Sequence, residues 1–183
     1  MDRILKERYK YTPLARLDGF SALREAQAEI EIEANGCLYR REAVAGVEIE
    51  KLWGPGTAEE DLTLTNDPLV AANLAVAEHE TQGMRIEILD RFQAAGVLYV
   101  HLRYPASAAM EGGVRYTQRN VIRVGRDATV RIAVYHHSAA GEAVINALPC
   151  IEAAEGASVE VIEVAETLAT YFGTIVSRVH RAA

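Results

Sequence analysis

Residues 119–135 read RNVIRVGRDATVRIAVY, and residues 148–164 read LPCIEAAEGASVEVIEV. The two stretches share one pattern of alternating apolar positions around a polar turn, and the offset between them is constant, since Ile122 corresponds to Ile151 and Ala128 to Ala157. Side chains two apart on a strand share one face. Because a fixed period with a matching pattern is typical of stacked β coils, the repeat predicts a scaffold in which each coil buries its inner face against the next.

The same alternation extends to both sides of the repeat. Met84, Ile86 and Ile88 follow a period of two, and so do the apolar residues of 97–102. The run 167–180 is rich in β-branched residues, which favour strands. Charged residues share the opposite strand faces, which predicts an apolar interior and a solvated exterior. These charged residues are Arg123, Arg131, Glu160 and Glu163.

Two segments are predicted to be helical. Phe20, Leu23, Ala26 and Ile30 recur at spacings of three to four, which indicates a short amphipathic helix over 20–31. Asp67 and Pro68 form a helix start, because aspartate caps and proline is tolerated at the first helical position. We therefore predict a mainly β protein with a small helical or irregular N-terminal appendage, residues 1–34, and a stacked β core, residues 35–183.

The composition argues against several classes of function. The formal net charge is −7, with 26 acidic and 19 basic residues. A nucleic-acid-binding protein needs a basic footprint, and so does a protein that binds anionic membranes, so neither partner is expected. No apolar run is long enough to span a membrane, and the charged N-terminus has no apolar h-region, so no signal peptide is expected. The sequence also contains no nucleophile elbow, phosphate-binding loop, dinucleotide fingerprint or zinc motif, so no enzymatic activity is expected.

The two cysteines, Cys37 and Cys150, lie far apart in the sequence. Free thiols of this kind are typical of a reducing compartment, so we expect a cytoplasmic protein without a disulfide framework. Cys37 follows a turn signal and is expected to be structural.

Several segments resemble the SufB/SufD family, the scaffold subunits of the SUF iron–sulfur cluster assembly system, and the resemblance is closer to SufD. KYTPL near the start is similar to the aromatic-Thr-Pro segment that opens many SufD chains. The stretch from Pro68, PLVAANLA, resembles the family's short helix before its first core strand. Residues 82–86, 119–128 and 147–164 resemble successive strands and turns of the family's core, and they occur in the family's order.

The resemblance implies a right-handed parallel β-helix core with an N-terminal helical appendage. It also implies a non-enzymatic scaffold that binds a SufB-like scaffold and a SufC-like ATPase. It implies no intrinsic cofactor and at most a transient iron–sulfur cluster. The chain has no positions that match the family's later coils, its ATPase-docking region or its interface residues for cluster assembly, so none of those roles is carried over.

His136, His137 and Cys150 are the candidate metal or cluster ligands, because imidazole and thiolate are soft ligands for iron and zinc. Adjacent residues on an extended chain point in opposite directions, so one histidine at most would join Cys150 in a site. The alternative is a turn with two solvated histidines and an inert, partly apolar thiol. The acidic residues Glu152, Glu155, Glu160 and Glu163 are similarly open to two interpretations, and a solvated stripe is favoured over an acid–base pair.

Two other functions remain open from the sequence. One is a self-associating β module without a cluster role, in which the open end of the coil stack binds a second copy of the chain. Tyr171 and Phe172 would suit such an interface, or they belong to the core. The other is a carbohydrate-active β-helix enzyme, although no groove of carboxylates and aromatic residues is evident on one strand face.

Overall fold

The computed structural model describes residues 14–17, 19–34, 37–38, 45–53, 67–77, 80–105, 113–138 and 143–179. This part of the chain is mainly β, with two sheets that are parallel in part, so the predicted mainly β class is confirmed. Within the same ranges no helix has the length and apolar character needed to cross a membrane.

The elements of the described ranges follow one another in a simple order. The helical elements are two 3-10 turns, Leu14–Leu17 and Phe20–Ala22, and the α-helix α1, Pro68–Leu74. The strands are β1 (Arg24–Glu25), β2 (Glu29–Ala34), β3 (Cys37–Leu38), β4 (Val47–Trp53), β5 (Gln82–Ile88), β6 (Gln93–Tyr104), β7 (Val114–Val124), β8 (Thr129–Ser138), β9 (Ala143–Ala153), β10 (Ser158–Thr167), β11 (Thr170–Gly173) and β12 (Val176–Val179).

Consecutive strands from β5 to β10 alternate between the two sheets. Sheet A has the order β11-β9-β7-β5-β4, with β1 beside β7 and β12 beside β9, and sheet B has the order β10-β8-β6-β2-β3. Within each sheet, every strand from β5 to β8 pairs in parallel with the strand two positions later. The antiparallel pairs are β4 with β5, β2 with β6, and β2 with β3.

The repeat predicted from the sequence is present as a register between strands. In sheet A, Ile122 pairs with Ile151, and in sheet B, Val130 pairs with Val159, so both pairs keep the predicted offset. Val124 and Val130 are buried, and Val159 packs against the same core. The parallel, in-register pairing of the two segments is therefore confirmed, whereas the stacked coils and the right-handed β-helix remain predictions.

The turns between the paired strands also stack. The backbone N–H of Asp127 donates to the carbonyl of Glu155, and the N–H of Ser158 donates to the carbonyl of Ala128. Gly125 begins the first of these turns, where an added Cβ would lie 2.6 Å from the backbone nitrogen of Asp90. A side chain at this position would therefore push the neighbouring turn away, which explains the glycine.

The core lies between the two sheets, and the two outer faces differ. The outer face of sheet B is partly solvated, as predicted, with Arg131 and Glu160 exposed. Residues 114–122 of sheet A are buried on both faces. Helix α1 and the segment around Phe20 pack on this outer face through a second apolar cluster that includes Leu69, Val144 and Phe172. The prediction of a wholly solvated exterior is therefore wrong for this part of sheet A.

The predicted helix over 20–31 is also wrong. Only Phe20–Ala22 is helical, in a 3-10 turn, after which β1 pairs with β7 and β2 pairs with β6. The segment EIEIE that begins at Glu29 alternates with the period of a strand, and hydrogen bonding to β6 overrides the helical spacing. The division of the chain at residue 34 into two domains stays a prediction, although β1 and β2 pair with strands of the core.

The second predicted helix is confirmed. The Asp67 side chain accepts hydrogen bonds from the backbone N–H groups of Leu69 and Val70, and Pro68 occupies the first helical position. The capping signal is local, so it needs no knowledge of the rest of the fold. The β-branched run at 167–180 contains two short strands, β11 and β12, and both pair in parallel with β9.

Candidate functional site

His136 and His137 lie side by side on β8 and face opposite sides of sheet B. His136 is fully buried between the sheets, and His137 is partly exposed on the outer face. Neighbouring side chains on a strand alternate in this way because of the pleat, as the sequence predicted. The pair therefore belongs to two separate clusters, an inner cluster around His136 and an outer cluster around His137.

The inner cluster is a linear chain of hydrogen bonds that runs from Tyr104 through His136 and Tyr171 to Glu163. The Nδ1 atom of His136 lies 2.8 Å from the hydroxyl of Tyr104, and its Nε2 atom lies 3.2 Å from the hydroxyl of Tyr171. The Tyr171 hydroxyl donates to Glu163 Oε2 at 2.9 Å. One arrangement of protons satisfies all three contacts: Tyr104 donates to Nδ1, Nε2–H donates to Tyr171, and Tyr171 donates to Glu163.

Burial sets the electrostatics of the inner cluster. It raises the pKa of Tyr104 and that of Tyr171, and the nearby Glu163 carboxylate adds to both shifts. Both hydroxyls therefore stay protonated and act as donors. The Glu163 side chain is only 12% exposed, with Oε1 3.7 Å from His136 Nε2. The prediction that Glu163 belongs to a solvated acidic stripe is wrong, because residue 163 lies on the inner face of β10.

The outer cluster is a row of aromatic rings on sheet B, made of Tyr99, His101, Tyr135 and His137. The Nδ1 atom of His101 lies 3.0 Å from Nε2 of His137, and the two rings are stacked with an interplanar angle of 18°. Tyr135 stacks on both histidines, and Tyr99 lies against Tyr135. The row is therefore continuous across β6 and β8.

Glu166 on β10 borders this row. Its Oε2 atom lies 3.3 Å from Nδ1 of His137. Burial lowers the pKa of His137, the nearby His101 and Arg103 lower it further, and Glu166 opposes the shift. His137 is accordingly neutral at pH 7, with a proton on Nδ1 for Glu166 and an acceptor lone pair on Nε2.

Cys150 lies elsewhere, on β9 of sheet A. Its side chain packs under α1 in a small apolar cluster with Val70 and Leu148. Burial raises the pKa of the thiol to about 11, the Glu152 carboxylate adds to the shift, and Arg119 opposes it. A neutral thiol is a weak metal ligand and a weak nucleophile.

The structure does not bring the three predicted ligands together. His136 faces the interior, His137 faces outward on the same sheet, and Cys150 lies under α1 on the other sheet. Across the described ranges, no group of three or more histidine, cysteine, aspartate and glutamate side chains is placed to hold a metal ion. A metal role for Cys150 or for His136 stays a prediction.

The surroundings of Cys150 lead to a testable result. In a Cys37→Ser background, we expect Cys150 to react with a thiol reagent at pH 8 about 100-fold more slowly than an unperturbed thiol, because its thiolate fraction is that much lower. The rate is measured by absorbance with a disulfide reagent. Unfolding in urea should restore the ordinary rate, and equal rates with and without urea would contradict the burial of this thiol.

A shallow cleft of about 680 Å³ lies beside the stacked turns, lined in part by Asp90, Arg123 and Glu152. The Arg123 guanidinium pairs with Glu152 at 3.0 Å and with Glu87 at 3.4 Å. Two carboxylates thus already neutralise the cation of this cleft, which makes it a poor site for an anionic ligand.

Sequence reasoning missed the partners of both histidines. Glu166 could have been predicted as a neighbour of His137, because it lies one full repeat later in the sequence and pairs with it in register. His101 and Tyr104 could not, because the pairing of β6 with β8 changes register between Gln93 and Val97. A repeat length alone therefore does not align β6 with β8.

Comparison with known proteins adds no assignment. No model of a known protein family matches the sequence. No solved structure matches the fold either.

Proposed function

We propose that this chain is a non-enzymatic scaffold subunit for iron–sulfur cluster assembly, similar to SufD, with a core of parallel β-helix coils. The observation that carries the proposal is the pairing of β7 with β9 and of β8 with β10 at one common offset along the chain. The segments that resemble the family supply these strands.

The alternation of strands between the sheets supports the coil architecture. From β5 to β10 the chain crosses from one sheet to the other at every turn and returns beside the strand two positions earlier. This is the path of a two-sheeted coil. We infer a right-handed coil, because about 98% of connections between parallel strands of one sheet are right-handed.

The position of the family-like segments also supports the proposal. The stretch that resembles the family's short helix forms α1, and residues 82–86 begin β5, the first strand of the parallel stack. Asn73 of this helix hydrogen-bonds to the backbone of sheet A, so the helix is fixed to the stack. The order helix, first strand and coils is the order that the resemblance implies.

The last strands offer an edge for a partner scaffold. Among the described strands, β10 pairs only with β8, and both β11 and β12 pair only with β9. Unpaired strand edges are templates for further pairing. Large apolar side chains are exposed in the same region, namely Ile162, Leu168, Ile175 and Val179. We propose this edge as the contact with a SufB-like scaffold.

Binding to purified partners tests the proposal. A SufB-like scaffold and a SufC-like ATPase are each mixed with the chain at micromolar concentration and analysed by size exclusion with light scattering. We expect a complex with the scaffold that Leu168→Glu weakens at least 10-fold. Leu89→Glu is the matched control. Leu89 is also apolar and exposed, but it follows β5 and does not belong to the proposed edge.

If the chain binds neither protein, it has a stacked β fold without the assembly role.

The same edge also suits the second candidate function, a self-associating β module. In the light-scattering measurement on the chain alone, a concentration-dependent dimer that Leu168→Glu dissociates would favour that function, and a monomer at all concentrations would exclude it. The cytoplasmic location and the lack of binding to nucleic acid stay predictions.

A further inference from the structure

We propose that His101 and His137 form a binding site for a divalent late transition metal ion, with copper(II) bound most tightly, on the outer face of sheet B. The site shares His137 with the ligands predicted from the sequence, but it uses neither Cys150 nor His136 and does not require the iron–sulfur role. It rests on the geometry of two imidazoles that lie on neighbouring strands.

The distance between the two nitrogens fits a shared ion. Zinc–nitrogen and similar bonds are about 2.0–2.1 Å long, so two nitrogens on one ion lie roughly 2.9–3.4 Å apart at angles between a right angle and a tetrahedral angle. His101 Nδ1 and His137 Nε2 are 3.0 Å apart. The two rings lie at only 18° to each other, so each must turn before both lone pairs point to one ion outside the sheet.

Binding of the ion moves one proton between ring nitrogens and leaves the number of protons on His101 and His137 the same. In the metal-free protein, His137 carries its proton on Nδ1 for Glu166, so His101 Nδ1–H donates to His137 Nε2. On binding, the ion takes the place of that shared proton. The proton moves to Nε2 of His101 by exchange with water, so the number of protons on the two rings is unchanged and each ring gives one lone pair to the ion.

Glu166 acts as a positioning residue. A histidine that binds a metal commonly donates its other N–H to a carboxylate, which fixes the ring and strengthens the ligand. The 3.3 Å contact between Glu166 and His137 Nδ1 provides this arrangement before any ion is bound. Tyr135 stacks on both rings, so the two imidazoles belong to one packed aromatic row.

The surroundings indicate which ions bind and how tightly. Imidazole suits zinc, copper, iron and nickel, and affinity within this group is highest for copper(II). With two protein ligands, water completes the coordination, so we expect weaker binding than at a structural site with four protein ligands. Arg103, opposite His137 on β6, is paired with Glu31 at 3.0 Å, which offsets its charge near the ion.

Titration of the untagged protein with copper(II), followed by calorimetry and electron paramagnetic resonance, tests the proposal. We expect one copper ion per chain and a spectrum with two imidazole nitrogens. His101→Gln and His137→Gln should each weaken binding by more than about 10-fold, since even changes beyond the ligands cost about 10–100-fold. The control is His79→Gln with His180→Gln, which should leave the affinity unchanged.

A second pair of variants tests the role of Glu166. Glu166→Leu should weaken binding about 10-fold, and Glu166→Gln, which keeps an acceptor for Nδ1–H, should recover part of the loss. Both should keep the two-nitrogen spectrum. Copper bound by His137→Gln as tightly as by the wild type, or a spectrum with fewer than two imidazole nitrogens, would overturn the site. Circular dichroism of each variant separates lost binding from lost folding.

Discussion

Arg115→Leu is expected to lower the free energy of unfolding by about 3–5 kcal/mol at pH 7, because it leaves a buried carboxylate without its cation. The Arg115 side chain is 4% exposed and the Glu25 side chain 11% exposed, with 2.7 Å between Nε and Oε2. Arg115 also donates to the carbonyl of Phe20 and to Glu80. It thus fixes β1 and the 3-10 turn at Phe20 to β7.

The dependence of this loss on pH follows from Glu25. Burial raises the pKa of Glu25 above its usual value near 4.5, although hydrogen bonds from Thr117 and Arg115 favour the ionised form. The folded protein therefore holds this proton more tightly than the unfolded chain, and ionisation costs stability as the pH rises from about 4.5 through the folded pKa. Without Arg115 the pKa rises further, so the variant should lose less stability at pH 4.5 than at pH 7.

Urea unfolding followed by circular dichroism measures these effects. The matched control is Arg103→Leu, whose partner Glu31 is half exposed, and it should cost less than about 1 kcal/mol. Adding Glu25→Leu to Arg115→Leu should recover part of the loss, because an apolar pair replaces an isolated charge. Equal stability losses for Arg115→Leu and Arg103→Leu would refute the buried pair.

Asn73→Ala is the second large effect, with an expected loss of about 2–4 kcal/mol, since it leaves several buried polar groups unpaired. The Asn73 amide donates to the carbonyl of Asn146 at 3.0 Å and to that of Gln118 at 3.3 Å. Its Oδ1 atom accepts from Nε of Arg119 at 2.9 Å. One buried side chain thus links α1 to two strands of sheet A.

The same variant should loosen α1 over Cys150. With Asn73→Ala added to the Cys37→Ser background, we expect the Cys150 thiol to react faster than in Cys37→Ser alone, because the helix that covers it is less firmly held. Ala71→Asn, at an exposed position of the same helix, is the control and should cost no more than about 0.7 kcal/mol. A change below 1 kcal/mol in Asn73→Ala, with unaltered thiol reactivity, would contradict this role.

Local signals in the sequence predicted the elements that depend on local chemistry. The Asp67 cap and the alternation of Met84, Ile86 and Ile88 act within a few residues, and both match the structure. The repeat also gave the register of β7 with β9 and of β8 with β10. The prediction of a helix over 20–31 was wrong because hydrogen bonds to distant strands determine the structure of that segment. A short-range sequence pattern does not reveal such bonds.

The site was harder to predict, because its residues meet across strands. His136 and His137 drew attention as neighbours in sequence, but the pleat separates them, and their partners lie up to 36 positions away. The burial of Glu163 depended on which face of β10 points inward. The placement of Cys150 depended on α1, whose position on sheet A rests on the contacts of Asn73.

The pairs β7 with β9 and β8 with β10 share one sequence offset, so this part of the chain can change in length without loss of register only by whole repeats. A duplicated block of one repeat length between β8 and β9 would give every inward side chain a matching neighbour, since β7 with β9 and β8 with β10 already pair at that spacing. Removal of a single residue from β9 would instead turn all the side chains beyond the deletion to the opposite face. Homologous proteins should therefore differ in length here by whole repeats, with other insertions confined to the loops between strands.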